Sequence, residues 1–177
     1  MKIRNGFVSN SSSSSFIISH PKGVELTKQS LHQAIFGSDV EQNFAPRYHD
    51  EFGLITSTQV VDHVFDLLQQ NHPYRYSGLV AKDNIEEICG GREPDGIKTP
   101  DSYGNTDFTT PDGKPDWEAL DKIRKKAYAI EMARMFMKTQ SHDLYMVEIS
   151  DDTAWGSELE HGDPLNDSPN VTRYSNH

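Results

Sequence analysis

The densest group of chemically competent side chains lies near the C-terminal end, in S-D-D-T-A-W-G-S-E-L-E-H-G-D. Asp151, Asp152, Glu158, Glu160, His161 and Asp163 fall within thirteen positions there. Ser157 can cap one helical turn that runs through His161, and Gly162 stops it. On that turn Glu158 and His161 stand three residues apart on one face, so both side chains can reach one ion. A hairpin-like return from Asp152 brings His177 beside them. Asp152, Glu158, His161 and His177 are therefore the candidate ligands of a divalent metal, since carboxylate and imidazole suit zinc, manganese or iron. No fixed motif such as H-E-x-x-H accompanies them. The same residues also make an ordinary acidic loop around a helix cap.

A second candidate site is the run Ser11, Ser12, Ser13, Ser14 and Ser15, five consecutive hydroxyls near the start of the chain. Backbone N–H groups and hydroxyls in a tight turn can cradle an anion such as phosphate. The run also reads as a modification target, or as a serine-lined strand packed closely on a neighbour. The glycine-rich phosphate loop with its lysine is absent. A serine run usually forms a flexible linker. Here Phe7 and Val8 precede it, and Phe16, Ile17 and Ile18 follow directly. Burying those apolar groups offsets the entropy of ordering several serines, which predicts an ordered segment.

Nucleophilic catalysis has little support. Cys89 precedes Gly90-Gly91 at a helix end and reads as structural, and the G-x-S-x-G elbow is missing. His20, His32, His49, His63, His72 and His142 are scattered along the chain.

The elements that must position these groups are legible from spacing. Residues 7–19 read as extended, ending at Pro21 and Gly23. A short helix follows, capped by Thr27, stapled by Leu26 and Leu31 and stopped by Gly37. A second helix over 57–71 places Val60, Val61, Val64, Phe65, Leu67 and Leu68 on one face. A third is expected over 83–89. The longest, over 116–139, carries Leu120, Ile123, Ala127, Ile130 and Met137 at helical spacing, widened by Trp117, Ala133 and Phe136. Met132, Met135 and Met137 read as core filler. Strands are expected at 144–149 and 171–175. Between Gly90 and Pro115 the chain is rich in Gly, Pro, Asp and Thr, with P-D-G at 94–96 and 111–113, and reads as a long loop or insertion.

These elements predict an α+β fold: a small, mainly antiparallel sheet of N- and C-terminal strands, packed against two or three helices. The helices at 57–71 and 116–139 are expected on one face of that sheet. The 177 residues suit a single domain spanning 1–177. A net charge of −10, from 27 acidic and 17 basic residues, disfavours direct nucleic-acid binding, which needs clustered Lys and Arg. A single cysteine excludes an internal disulfide framework. No apolar run approaches the roughly 18 residues of a membrane span, and no signal-peptide pattern follows Lys2 and Arg4. A cytoplasmic location is the expectation.

The opening M-K-I-R-N-G-F-V-S-N-S-S-S-S-S-F resembles the N-terminus of a loose set of uncharacterised bacterial and phage proteins. The C-terminal S-D-D, L-E-H-G-D and P-x-x-x-R-x-S-x-H segments are similar to the ending of some of them. Together these segments cover about a quarter of the chain. The resemblance implies a phage, prophage or bacterial setting within the host cytoplasm, and it implies no catalytic residues.

Two functional readings follow. In the first, the chain is an accessory protein that binds a small ligand or metal at a polar site built from its terminal segments. In the second, it is a non-enzymatic interaction or virion-associated protein that meets a partner protein through the 90–115 loop.

Overall fold

The computed structural model describes residues 13–49, 51, 53–70, 78–80, 85, 93–94, 110, 112, 114, 116–150, 153–166, 168 and 170–175. Its centre is β1 (Ser13–Pro21), hydrogen-bonded on both sides. On one side it pairs with β6 (His142–Ser150), with Phe16 opposite Val147. On the other it pairs with β7 (Val171–Ser175), with Phe16 opposite Arg173. Two short edge strands, β4 (Gly78–Leu79) and β5 (Glu93–Pro94), complete the order β4-β6-β1-β7-β5, and every pairing is antiparallel. A separate two-residue ladder joins β2 (Asn43–Phe44) to β3 (Ile55–Thr56). The expected α+β architecture, with its sheet of terminal strands, is therefore present.

As the central strand, β1 is covered on both faces, so every side chain from Ser14 to His20 is buried, the consecutive apolar Phe16, Ile17 and Ile18 among them. Alternation sends Phe16 and Ile18 to one face and Ile17 to the other. The first face meets α1 (Lys28–Phe36), α2 (Ser57–Gln69), α4 (Ala154–His161) and the single turn α5 (Asp163–Asn166). Leu31, Ile35, Val60, Val64, Leu159 and Leu165 join Phe16, Ile18, Val147 and Ile149 in that core. Full burial of each large apolar side chain contributes roughly 1.5–3 kcal/mol. The second face meets α3 (Trp117–Lys138), whose Met135 contacts the layer of Ile17, Leu144, Met146 and Tyr174.

This arrangement corrects the expectation that both long helices share one face. α2 and α3 sit on opposite faces, so the sheet is the middle of three layers. The physical reason is the central position of β1: its apolar residues point both ways, and each face needs its own cover.

The helix termini follow the sequence signals. Thr27 caps α1, its side chain accepting from the Ser30 N–H, and Ser30 reaches back to the Thr27 N–H. Thr56 and Gln59 repeat this reciprocal cap on α2. Gly37 ends α1 at φ 71°, a left-handed conformation that costs a glycine little. His32 then ties α1 to α2, with Nδ1 2.8 Å from the Ser38 carbonyl and Nε2 2.8 Å from Ser57 Oγ.

α3 differs from its expected orientation. Its buried line runs through Ala127, Glu131 and Met135, whereas Trp117, Ile130 and Met137 are exposed. Apolar residues occur around most of this helix, so spacing alone did not select the face. The selection comes from Tyr174, whose hydroxyl donates to the buried Glu131 at 3.1 Å. Met137 is thus not core filler. The expected helix over 83–89 lies outside the described residues, apart from the buried Ile85.

Candidate functional site

The C-terminal candidates occupy different environments. α4 begins earlier than expected: Thr153, not Ser157, caps it by accepting from the Gly156 N–H at 2.9 Å. Gly162 ends it, as the sequence suggests. A Cβ at Gly162 would lie 2.2 Å from the Glu158 carbonyl oxygen, so only glycine fits that approach. Glu158 is 1% exposed, and its carboxylate faces the chain near residue 48. Oε2 accepts the Arg47 N–H at 2.8 Å, while Oε1 accepts those of Tyr48 and His49 at 2.6 and 2.7 Å. Burial pushes the Glu158 pKa up, but those three donors, with the nearby His49, outweigh it and hold the carboxyl below its usual value. Glu158 thereby clamps a loop that reaches it from more than a hundred residues away. His161 is described only as the backbone end of α4, and Asp152 and His177 lie outside the described residues. Among the described residues, no group of three or more His, Cys, Asp or Glu side chains could hold a metal.

The serine candidates divide in the same way. Ser11 and Ser12 lie outside the described residues, and Ser13 starts β1. Ser14 and Ser15 are fully buried. Arg173 Nε donates to Ser14 Oγ at 3.1 Å, and its guanidinium lies 5.9 Å from the centre of the Phe16 ring. Of the 90–115 stretch, Glu93 and Pro94 pair with β7 rather than forming loop. Around the second P-D-G, the Thr110 N–H donates to the Lys114 carbonyl at 2.8 Å and closes a turn.

A cleft of about 800 Å³ opens where β1 ends and α1 begins. Its walls include Ser19, His20 and Pro21 from β1, and Gln29, Ser30 and Gln33 from α1. Glu25 and Asp39 come from the turns flanking α1, His142 from the start of β6, and Asn170 from the residue before β7. The two terminal strand segments therefore meet at this cleft. No Lys or Arg is among its described lining residues. Of the neighbouring lysines, Lys28 pairs with Asp62 at 2.7 Å, Lys22 donates to the Thr139 carbonyl, and Lys138 donates to Oγ of the lining residue Ser19 at 3.1 Å.

His20 is the distinctive group of this cleft. It has no exposed surface, and the Tyr145 ring meets it edge-on at 5.9 Å. Nε2 lies 2.9 Å from Ser30 Oγ. That hydroxyl accepts the Thr27 N–H at 2.9 Å and has two carbonyls within donor reach, Glu25 at 2.7 Å and Thr27 at 3.1 Å. Nδ1 is buried, with no hydrogen-bond partner among the described residues. Burial lowers the His20 pKa and His142 lowers it further; the Pro21 carbonyl and Asp143 oppose them. The ring is neutral at pH 7.

Sequence reading passed over His20 and His142 as scattered histidines. One signal was available: His20 continues the alternation of Phe16 and Ile18, which turns it toward α1. Nothing in the sequence brought His142 or Asn170 to the same cleft.

No protein-family model, curated protein or solved structure matches this chain.

Proposed function

We propose that this chain is a small-ligand-binding protein whose ligand occupies the His20 cleft, in the phage or bacterial setting that its opening residues resemble. The observation that carries this reading is the cleft itself, which is lined by residues from four separate parts of the chain. Three features add support. The cleft is of ordinary small-molecule size. Polar groups from β1, α1, β6 and the approach to β7 converge on it. The capping network of Thr27 and Ser30 holds the imidazole in one orientation. The reading assigns recognition and no reaction.

A fragment and metabolite screen by amide chemical-shift mapping tests it. Hits should perturb residues 19–39, His142 and Asn170 together. A screen whose hits all map elsewhere, or that yields none, overturns the reading.

A further inference from the structure

Resting on that reading of the cleft, we infer that its ligand is a neutral, hydroxyl-rich molecule of the sugar or polyol class. Four polar side chains of the walls, Glu25, Gln29, Asp39 and Asn170, make no hydrogen bond or ion pair among the described residues. Their backbones are nevertheless fixed. Ser30 Oγ lies 2.7 Å from the Glu25 carbonyl, and the His32 ring holds the Ser38 carbonyl, next to Asp39, at 2.8 Å. The Asn170 carbonyl accepts the Ser19 N–H at 3.0 Å, and Gln29 stands on the first turn of α1. Four polar ends that no described contact uses therefore project from pinned positions, which lowers the ordering cost of binding.

Their chemistry is mixed. The two carboxylates accept, while each amide offers two N–H donors and a carbonyl acceptor. A ligand that only donates would strip water from the amide N–H groups without replacing it, and one that only accepts would do the same to the carboxylates. A hydroxyl donates and accepts at once, so several on one small ring answer all four groups. The remaining wall suits the C–H surface of such a ring. Pro21, Val24 and Ala34 line the same cleft, and Val24 is 50% exposed.

The test uses the full chain, amide chemical-shift mapping and calorimetric titration. Glucose, N-acetylglucosamine, cellobiose, maltotriose and myo-inositol are the neutral probes; agmatine and inorganic phosphate are the charged controls. At least one neutral probe should shift the backbone amides of 24–39 together with the side-chain amides of Gln29 and Asn170. Its affinity should stay within about twofold between about 50 and 500 mM salt, because the ligand carries no charge. Asp39→Ala and Asn170→Ala should each weaken it roughly fivefold or more. Both variants should keep the parent's thermal midpoint, since neither side chain has a structural partner to lose. Cleft binding by agmatine or phosphate in preference to every neutral probe overturns this inference. So do parent-like sugar affinity in both variants, and a lowered midpoint in both, which would assign the side chains to the fold. In those cases the cleft remains a ligand site. Failure of every compound to perturb the cleft overturns both readings.

Discussion

The Tyr174 hydroxyl lies 3.1 Å from Oε1 of Glu131, a contact that joins the second-last described residue of the chain to the middle of its longest helix. Tyr174 has no exposed surface and Glu131 only 2%. Glu131 also meets Arg134 at 3.6 Å, one turn along α3. The pair fixes which side of α3 faces the sheet, and explains why Ile130 and Met137 turn outward.

Tyr174→Phe removes the donor and leaves a buried carboxylate poorly matched, so it should lower stability by about 1–3 kcal/mol in urea unfolding. Glu131→Gln keeps an acceptor for the tyrosine and should cost less. Equal losses from the two variants would show that the hydroxyl contact does not orient the helix.

Glu158 predicts acid sensitivity of a defined origin. Its folded pKa lies below the ordinary carboxylate value, so the native state binds fewer protons than the unfolded chain. The stabilisation is complete above the unfolded value of 4.5 and is lost as pH falls through the lower folded value. Glu158→Gln removes the charge that gathers three N–H donors and should destabilise by roughly 2–4 kcal/mol at pH 7. Amides 47–49 should then exchange faster with solvent. Unchanged exchange there would contradict the clamp.

Two histidines predict a second pH dependence nearer neutrality. Burial lowers the pKa of His20, and likewise that of His63, which stacks on Trp155 at 5.7 Å. In each case the unfolded chain takes up the proton first. Stability should therefore be full above the unfolded value of 6.5 and fall as pH drops below it toward the folded values. His20→Gln and His63→Gln should each flatten the stability profile measured between about pH 7 and 5. A profile that rises as the solution is acidified would contradict the assignment.

Gly162→Ala places a methyl group where the Glu158 carbonyl stands, 2.2 Å from the new Cβ. The last turn of α4 must open, at a cost of roughly 1–3 kcal/mol. The loss should appear in thermal unfolding and extend to amides 47–49, because the displaced turn carries Glu158. A variant as stable as the parent would show that the turn relaxes freely.

The sequence by itself determined the local elements. Thr27 and Gly37 bound α1, the apolar stripe places α2, and the alternating residues of 144–149 and 171–175 form β6 and β7 within a residue or two. These signals are short-range: a cap, a helical period and a strand period each act within about one turn or one pleat. The α+β class followed from their order along the chain.

Tertiary structure alone decided which face each helix covers and which side chains meet. Helices 57–69 and 117–138 looked alike as apolar stripes, yet a central β1 with two apolar faces separates them. Glu158 read as a ligand because its neighbours in sequence were acidic and histidine-bearing. Folding turns it instead onto three backbone amides from another part of the chain. The same holds for His20: strand alternation set its face, but its contact with Ser30, itself tied to Thr27 and Glu25, follows from the fold. Strand pairing in space, not proximity in sequence, brings His20, His142 and Asn170 around one cleft. No periodicity encodes such a meeting, because it depends on register between segments more than a hundred residues apart.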